Sequence, residues 1–446
     1  MAAKQHLIGV DLNRQYPQVE RSEGIFLYDT GGKRYLDGCS GALVANLGHS
    51  ADEVAQAMSH QAQSLAYAYR VHFSSPVGEE LAARFCNLTG EPMARVYFTN
   101  SGSEATEMAV KLARTRHLAA GEKGRFKVIS RWQSYHGITM GALSWSGVSG
   151  RRADYQPYLK DFVHIPPAYC YRCWFGREPK TCGLECAQAL ESAILTQGPD
   201  TVAAFMAEPV VGAALAAAYP PAQYFRMVRE ICDRHGVLYI ADEVMCGAGR
   251  TGGRYFACDH FPGRPDIIAF GKGVSGGYFP LAGAMISQQV ADAITSGSGI
   301  FGASQSCSNH PVGMAVGLAA MDYMEGHGLL ARSAEMGQYL GSRLQDLLGH
   351  PSLGDVRGMG LMWGLEFVQD KKTKAAFDPG LEYHMKVYDQ ALKRGLCLLP
   401  SGGCDRGQAG DMALIGPPLV ITREQIDELC AILDEALTQV EHEMGF

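Results

Sequence analysis

The chain has 446 residues, of which 47% are hydrophobic and 19% are charged. This is enough apolar material for two domains around a large core, and it excludes a disordered chain. The net charge of −7, with both signs scattered, leaves no basic field for nucleic acid or an anionic membrane. The first residues lack a signal-peptide pattern, and no run of about 18 apolar residues occurs. We therefore expect a cytoplasmic protein of the size of an enzyme, without nucleic-acid or membrane partners.

The thirteen cysteines are odd in number and spread along the chain, which favours reduced thiols over a disulfide framework. Four of them follow one another in the pattern C-x2-C-x8-C-x3-C: Cys170, Cys173, Cys182 and Cys186. Two close cysteine pairs in one loop are compatible with a tetrahedral zinc site. Free thiols packed within a surface loop fit the same pattern, and the sequence leaves both interpretations open.

Short strands alternating with helices are predicted for the middle of the chain. Before them, residues 24–38 ("GIFLYDTGGKRYLDG") alternate apolar and polar residues around a Thr-Gly-Gly turn, which predicts a β-hairpin. From about residue 76, apolar runs separated by helical stretches predict right-handed crossovers and a mostly parallel α/β sheet. These runs are "RVYFTN", "FKVIS", "TVAAFMAEPV", "GVLYIADEV" and "DIIAFGK".

Helical periodicity is clearest in two segments of this region and in the last third of the chain. Apolar residues recur at helical spacing in "SEATEMAVKLAR", and "PAQYFRMVREICDRHG" predicts a helix from Pro221 near its first turn to Gly236. After residue 330, three long amphipathic segments flank the strand-like "MGLMWGLEFV". We predict an N-terminal segment of a small domain (1–75), a large domain (76–330) and a C-terminal α+β part of the small domain (331–446).

Three turns that follow predicted strands carry unusual polar chemistry. After "VYFTN", Ser101, Gly102 and Ser103 open a helix whose first N–H groups are free for a phosphate. After "VLYI", Asp242 places a carboxylate at the end of a buried strand, where it needs a partner. After "DIIAF", Lys272 stands between glycines, and burial favours its neutral, nucleophilic form. Taken singly, each feature also has a structural explanation. The serine turn fits an ordinary helix cap, and Asp242 and Lys272 each fit a buried ion pair.

Together, the three features match the three points at which pyridoxal phosphate is held. Lys272 would form a Schiff base with the aldehyde, and the helix start would bind the phosphate. Asp242 would pair with the pyridine nitrogen, which makes the ring an electron acceptor. Tyr135, in "SYHG", is a candidate to stack on one ring face with Val244 on the other, although Tyr135 also fits a core aromatic.

These stretches resemble the class III, omega-type aminotransferases of fold type I. The matching segments follow family order over nearly the whole chain: "LYDTGGKRYLDGCSG", "FTNSGSEATEMAVKLAR", "SYHG", "AEPV", "ADEVMCGAGRTG", "FGKGVSGGYFPLAGAM", "NHPVGMAVGLA" and "GPPLVIT". The resemblance implies an α/β fold with a mostly parallel seven-stranded sheet between helices, and a small domain built from both chain ends. It also implies pyridoxal 5'-phosphate as the cofactor.

Carried over position by position, the resemblance implies a set of cofactor-binding residues. Lys272 and Asp242 would be catalytic, and the others would surround the cofactor: Ser101, Gly102, Ser103, Tyr135, Val244, and behind them His136 and Glu208. The resemblance further implies a homodimer with its active sites at the interface. In the family, a threonine four residues before the His-Pro pair reaches the cofactor phosphate of the partner subunit. In this chain, that position, four residues before His310, is Ser306. Whether dimers pair into tetramers is left open.

Two departures from the family pattern bear on the substrate. Relatives that act on acetylornithine or 4-aminobutyrate carry glutamine where Met245 stands, which favours the amine–pyruvate branch here. Members of that branch hold the substrate carboxylate with an arginine shortly before Pro-Pro-Leu. Arg406 is the nearest candidate, at a shifted spacing. Tyr67 and Tyr69, in "AYAYRVHF", are candidate pocket residues and fit a structural aromatic patch equally well.

Several other functions compete with this interpretation. Residues 247–252 spell G-x-G-x-x-G, as in NAD-dependent dehydrogenases, but the segment that follows is not the long helix that such a fingerprint opens. A zinc-dependent interaction module would rest on the four cysteines alone. A racemase or epimerase, an aminomutase and a decarboxylase share the cofactor and fold, because the reaction depends on which substrate bond lies perpendicular to the ring.

The favoured function is a ping-pong transaminase. It takes an amino group from an amine, an omega-amino acid or an amino acid and gives it to a 2-oxo acid, with pyruvate as the favoured acceptor. Lys272 would move the proton between the substrate carbon and the cofactor. The sequence leaves open the amine donor, the stereochemical preference and the pathway.

Overall fold

A computed structural model describes residues 6–446. In this range the strands belong to three sheets, and in chain order they are β1 (Val19–Glu23), β2 (Phe26–Asp29), β3 (Arg34–Asp37), β4 (Arg95–Thr99), β5 (Lys127–Arg131), β6 (His164–Ile165), β7 (Val202–Ala207), β8 (Leu238–Asp242), β9 (Ile267–Phe270), β10 (Ala282–Ile286), β11 (Leu353–Met359), β12 (Met362–Phe367), β13 (Leu396–Cys397), β14 (Leu399–Asp405) and β15 (Ala409–Ile415).

The α-helices of the described range are α1 (Ser40–Leu43), α2 (Asp52–Ser64), α3 (Pro76–Cys86), α4 (Gly102–Ala119), α5 (Met140–Trp145), α6 (Ser149–Arg152), α7 (Glu185–Gln197), α8 (Tyr224–His235), α9 (Gln288–Ser296), α10 (Pro311–Gly326), α11 (Leu329–Asp346), α12 (Tyr383–Lys393) and α13 (Arg423–Met444). Short 3₁₀ turns lie at Ala153–Tyr158, Pro199–Thr201, Ala257–His260, Lys272–Ser275, Leu347–Gly349 and Pro379–Leu381. No helix of residues 6–446 combines the length and apolar character that a membrane crossing requires.

The central sheet has seven strands in the order β4-β10-β9-β8-β7-β5-β6. All five strands predicted from the apolar runs are in it, and β6 and β10 were not predicted. The strand β10 runs antiparallel to both of its neighbours, β4 and β9, whereas β9, β8, β7, β5 and β6 pair in parallel. The prediction of a mostly parallel sheet is therefore confirmed.

The apolar runs are continuous because both faces of this sheet are buried. On β8, Tyr239 packs into one hydrophobic cluster and the next residue, Ile240, packs into the cluster on the opposite face. Successive side chains of a strand point to opposite faces, so a strand covered on both sides needs apolar residues at every position. The strand β8 is buried along its whole length and ends in Asp242.

Strand direction brings three predicted turns to one edge of the sheet. Asp242 ends β8 and is paired in register with Ala269 of the neighbouring strand β9. Lys272 lies two residues beyond the end of β9, and α4 begins at Gly102, three residues after β4. Ligands of open α/β sheets bind at this carboxyl edge.

The two smaller sheets contain residues from the two ends of the chain. The predicted hairpin is confirmed as β2 and β3, and β3 pairs in parallel with β13 through Leu36 and Leu396. The other sheet is antiparallel, in the order β11-β12-β15-β14, and β12 is the predicted strand "MGLMWGLEFV". The three predicted amphipathic helices are α11, α12 and α13. The domain division at residues 75 and 330 stays a prediction.

Helix α8 begins later than the sequence predicts. Its first helical residue is Tyr224, whose N–H donates to the carbonyl of Pro221 at 2.9 Å, so the proline lies in the preceding turn. The predicted end is confirmed, because Gly236 caps the helix with a φ of 65°. Only glycine adopts this left-handed conformation without a steric cost.

The G-x-G-x-x-G segment at 247–252 has a structural explanation. It forms consecutive turns and opens no helix, which removes the basis of the dehydrogenase alternative. Its Arg250 is fully buried and donates to the carbonyl of Leu361 at 3.2 Å and to Oγ of Ser40 at 3.3 Å. It also donates to the carbonyl of Pro417 and to Oδ1 of Asn46. One arginine thus joins the middle of the chain to both of its ends.

Candidate active site

A cavity of about 170 Å³ lies at the carboxyl edge of the central sheet. Its walls come from the ends of several strands and from the start of α4. They are Gly102, Ser103, Tyr135, His136, Gly137, Glu208, Ala213, Asp242, Val244, Met245 and Lys272. Eight of the predicted cofactor-binding residues therefore line one cavity: Gly102, Ser103, Tyr135, His136, Glu208, Asp242, Val244 and Lys272.

Lys272 presents a partly desolvated amine to this cavity. Its backbone has a φ of 50°, and its Nζ donates to the carbonyl of Ala42 at 2.9 Å. The residue keeps some exposed surface because the cavity opens on it. Burial lowers the pKa of Lys272 to about 8; the carboxylates of Asp242 and Glu208 oppose this shift and the charge of Arg151 adds to it. The neutral, nucleophilic fraction of the amine near neutral pH is therefore larger than that of an exposed lysine.

Asp242 is held by two donors inside the protein. Its Oδ2 lies 2.7 Å from Nδ1 of His136, and its Oδ1 accepts the N–H of Val244 at 3.0 Å. The carboxylate is 3% exposed, so these contacts compensate for the loss of water. The Nε2 of His136 is buried and has no hydrogen-bond partner among residues 6–446. A buried polar atom without a partner indicates a group that the protein binds.

Glu208 fixes the wall of the cavity that carries Tyr135. Its carboxylate accepts the N–H of Tyr135 at 3.0 Å and the N–H of Gly212 at 2.7 Å. Burial raises the pKa of Glu208, because the charged form loses its hydration. The guanidinium of Arg151 lies over the Tyr135 ring, 4.5 Å from its centroid. The tyrosine is therefore held through its backbone and one ring face.

The start of α4 separates the roles of the three small residues predicted there. Ser101 is the N-cap, and its Oγ accepts the N–H of Glu104 at 3.3 Å. Its side chain therefore has the cap function that the sequence left open, and Ser101 is not among the cavity residues. Gly102 and Ser103 do line the cavity, and N–H groups in the first turn of a helix have no acceptor within the helix. A Cβ at Gly102 would lie 2.6 Å from Cγ1 of Val244, so a larger residue does not fit.

The residues of this cavity fit pyridoxal phosphate on structural grounds. They supply a nucleophilic amine, a buried carboxylate, free N–H groups at a helix start and an aromatic ring, which are the contacts that this cofactor requires. At Gly137, a Cβ would lie 2.6 Å from Oγ of Ser103, so the glycine keeps this wall close to the helix start. The donor set therefore matches the predicted cofactor.

Four other predicted site residues lie outside this cavity in the single chain. Tyr67 donates to the carbonyl of Ser306 at 2.8 Å, and both residues are exposed, as is Tyr69. Ser306 is predicted to serve the partner subunit, which a single chain does not test. Arg406 is exposed, and its guanidinium lies over the ring of Trp174 at 5.3 Å. The structure thus brings neither the two tyrosines nor Arg406 to Lys272.

The four clustered cysteines do not form a metal centre in the structure. Cys170, Cys173, Cys182 and Cys186 are partly buried free thiols. Within residues 6–446, no group of three or more histidine, cysteine, aspartate or glutamate side chains is arranged to hold a metal ion. The zinc interpretation, and with it the zinc-dependent module, has no support in this geometry.

The sequence did not identify Ala42, Gly137 or Arg151 as residues of the site. The contact between Ala42 and Lys272 joins positions 230 residues apart, and no local pattern indicates such a contact. Gly137 is the last residue of "SYHG", and its φ of 133° is a backbone angle that residues with a side chain disfavour. A glycine at this position of a turn was therefore the one sequence signal for Gly137. Arg151 stands in a polar segment without a motif.

Comparison with known proteins agrees with this geometry. Residues 11–437 match the family described as class III aminotransferase. The Bacillus subtilis aminotransferase YodT is 38% identical over 438 residues, 98% of each chain. The putrescine–pyruvate aminotransferase of Pseudomonas aeruginosa is 33% identical over 425 residues, 94% of this chain and 90% of that protein. The structure of the Pseudomonas jessenii omega transaminase in complex with PMP has a TM-score of 0.90 and 33% identity, over 96% of this chain and 94% of that chain.

The chain therefore belongs to the class III aminotransferases, and it has the fold type I architecture of its structural neighbours. Members of this family use pyridoxal phosphate. The predictions of family, fold class and cofactor are confirmed.

Proposed function

We propose that this aminotransferase transfers the amino group of a primary amine or omega-amino acid to a 2-oxo acid, with pyruvate as the favoured acceptor. One observation carries the proposal: Lys272 and Asp242, at the ends of adjacent strands, line the same cavity. The amine has a pKa of about 8, which suits a group that must both bind an aldehyde and exchange a proton.

Each residue of the cavity has a proposed contact with the cofactor. Lys272 would bind the aldehyde covalently, and the first N–H groups of α4 at Gly102 and Ser103 would bind the phosphate. Asp242 would bind the pyridine nitrogen. Tyr135 and Val244 would contact the ring, with His136 and Glu208 behind them. When bound, pyridoxal phosphate withdraws electrons from the bonds of the substrate carbon, which makes its proton removable.

Lys272 also moves the proton in this proposal. With the cofactor bound, the Nζ of Lys272 would act as a free base in the cavity of about 170 Å³ that it lines. Because burial keeps its pKa near 8, the amine accepts a proton and returns it without a large energetic cost. Asp242 and Glu208 stabilise the protonated state, since both carboxylates raise this pKa.

Support for pyruvate as the acceptor comes from one residue and one relative. Met245 lines the cavity at the position where glutamine stands in acetylornithine and 4-aminobutyrate enzymes, and it leaves the wall apolar there. The Pseudomonas aeruginosa relative is named for putrescine and pyruvate. Both observations favour an amine donor and a short 2-oxo acid.

The active form in this proposal is a homodimer. Residues 67–73 and 300–306 lie against each other, since Arg70 donates to the carbonyl of Ala303 at 3.2 Å. This surface exposes Val71, Phe73 and Ile300 by 58%, 66% and 67%, and it contains Ser306. Exposed apolar residues in one patch are typical of an interface between subunits. Light scattering after size-exclusion chromatography measures the mass, and a monomer would contradict the proposal.

The proposed reaction is tested by measuring its two half-reactions separately. The cofactor-loaded protein is mixed with a panel of amines, omega-amino acids and amino acids, and the visible band of the cofactor is followed. We expect the band to bleach with at least one amine and to return when pyruvate is added, with alanine as the product. Racemised substrate, carbon dioxide, or a rearranged amine without net transfer would instead identify a racemase, a decarboxylase or an aminomutase.

A further inference from the structure

Four cysteines of one loop have no part in the cavity that contains Lys272. They are Cys170, Cys173, Cys182 and Cys186, and each is a partly buried free thiol. Partial exposure leaves these thiols within reach of a small reagent, which the fully buried cysteines of the core are not. The proposed reaction with an amine and a 2-oxo acid gives this group of thiols no task.

Cys170 and Cys173 are the first and last residues of one tight turn, with Tyr171 and Arg172 at its centre. The Cα atoms at the two ends of a β-turn lie less than about 7 Å apart, and a disulfide needs Cα atoms roughly 4.4–6.8 Å apart. Cys173 also begins the next turn, because its carbonyl accepts the N–H of Gly176 at 3.1 Å. The backbone therefore brings these two cysteines to the spacing that a disulfide requires.

The thiols of the loop also influence one another. Burial raises the pKa of Cys170, and the neighbouring Cys173 and Cys182 raise it further. Because a protonated thiol is a poor nucleophile, Cys170 is the second of the two turn cysteines to react. Burial and the other three thiols raise the pKa of Cys186 to about 12, and Cys186 lies in the first turn of α7, outside the turn that joins Cys170 to Cys173.

Contacts on both sides hold this turn in place. The guanidinium of Arg172 donates to the carboxylate of Glu366, in β12, and to the carbonyl of Lys374 at 2.6 Å. On the other side, the Nε1 of Trp174 donates to Oε1 of Gln133 at 3.3 Å. These side chains fix the backbone around the turn in the folded protein, so the two cysteines at its ends keep their spacing.

We propose that Cys170 and Cys173 form a reversible disulfide, which makes this turn a redox modification site. The oxidant is a small-molecule disulfide of the glutathione type. The thiolate of Cys173 attacks one sulfur of the oxidant and releases the first glutathione thiolate. The thiol of Cys170 then loses its proton, attacks the Cys173 sulfur and releases the second. Both cysteines are oxidised, one oxidant disulfide is reduced to two thiols, and the two protons end on those thiols.

The bond adds a covalent restraint at a junction between two parts of the molecule. The turn contacts Glu366 in β12 on one side and Gln133 on the other, and Gln133 lies two residues before Tyr135 of the cavity. An excess of small thiols reverses the exchange, so the restraint follows the redox state of the surroundings. Formation of the bond needs no amine or 2-oxo acid, and it is measured independently of the proposed reaction.

The test uses the cofactor-loaded protein, reduced with dithiothreitol, desalted and incubated with oxidised glutathione. Alkylation blocks the remaining thiols, and peptide mapping by mass spectrometry locates the bond. We expect one intramolecular disulfide, between Cys170 and Cys173, with loss of both thiols and their full return in dithiothreitol. In Cys170→Ser the second step is impossible, so a glutathione adduct should accumulate on Cys173.

Two further variants are matched controls. Cys307→Ser removes an exposed thiol outside the loop, and Cys182→Ser removes a thiol of the loop that the bond does not use; both should form the disulfide as the unchanged protein does. Retention of both turn thiols in the unchanged protein, or a bond that maps to Cys182 or Cys186, would contradict the assignment. Zinc released from the purified protein on oxidation would identify a metal site instead. Each of these results overturns the inference.

Discussion

The Nδ1 atom of His136 lies 2.7 Å from Oδ2 of Asp242, and both side chains are buried. The histidine comes from the segment after β5 and the aspartate ends β8, so two separate parts of the chain meet at this contact. A histidine in this position fixes the direction of the carboxylate and supplies a donor to it. The carboxylate can then point its remaining lone pairs at a pyridine nitrogen.

This relationship predicts graded effects of substitution. Asp242→Asn should slow the amine half-reaction by at least about a hundredfold, because the ring nitrogen loses its anionic partner. His136→Leu should slow it by about tenfold, and His136→Asn, which keeps a donor, should recover part of this loss. Stopped-flow bleaching of the cofactor band gives the rates, and its wavelength reports the ring environment. Unchanged rates and an unchanged band in Asp242→Asn would show that the nitrogen has another partner.

Attachment of the cofactor should depend on pH through Lys272. Since the pKa of this amine is lowered to about 8, its neutral fraction in the protein without cofactor rises with pH around that value. The rate of covalent attachment should rise in the same way and level off above about pH 9. Borohydride reduction at timed intervals, followed by peptide mapping, measures it. Lys272→Ala should carry no label and have no turnover; a label on another lysine would contradict the assignment.

The same burial predicts that Lys272 lowers the stability of the protein without cofactor. Its pKa is about 8 when folded and near 10.5 when unfolded, so the unfolded chain binds more protons between these values and stability rises with pH there. Below pH 8 the full penalty acts, roughly 3 kcal/mol. Lys272→Met should raise the free energy of unfolding at pH 7, with a gain that shrinks towards pH 10. Urea titrations measure this, and a gain independent of pH would contradict it.

Gly137 should be required for cofactor affinity. Its φ is 133°, and a Cβ would lie 2.6 Å from Oγ of Ser103 and 2.7 Å from Cβ of Ala142. Gly137→Ala must therefore move the start of α4, and we expect affinity for pyridoxal phosphate to fall by about tenfold or more. Equilibrium dialysis gives the dissociation constant. Gly349→Ala is the control, since a Cβ there meets no atom within 4 Å. Equal affinities in both variants would remove Gly137 from the phosphate region.

Arg250 should be essential for stability. It is fully buried, and its removal leaves the carbonyls of Leu361 and Pro417 and the side chain of Asn46 without a donor. Arg250→Met should lower the free energy of unfolding by roughly 3–5 kcal/mol. Arg254→Met, an exposed arginine in the same loop, should change it by less than about 0.5 kcal/mol. Similar urea midpoints for the two variants would contradict the linking role of Arg250.

Local patterns determined the strands and the chemistry at their ends. Apolar runs bounded by turns define β4, β5, β7, β8 and β9, because a sheet buried on both faces tolerates apolar side chains at nearly every position. Asp242 and Lys272 were identifiable because each follows such a run directly. Parallel strands end at the same edge, so their proximity also followed from the sequence.

Contacts between distant segments were decided only by the tertiary structure. The short strand β10 lies antiparallel between β4 and β9, which no local pattern required. The Nζ of Lys272 donates to the carbonyl of Ala42, and the guanidinium of Arg151 lies over the ring of Tyr135. The physical reason is the same in each case: side-chain type and periodicity report the burial of a residue, whereas the partner it meets depends on how the whole chain packs.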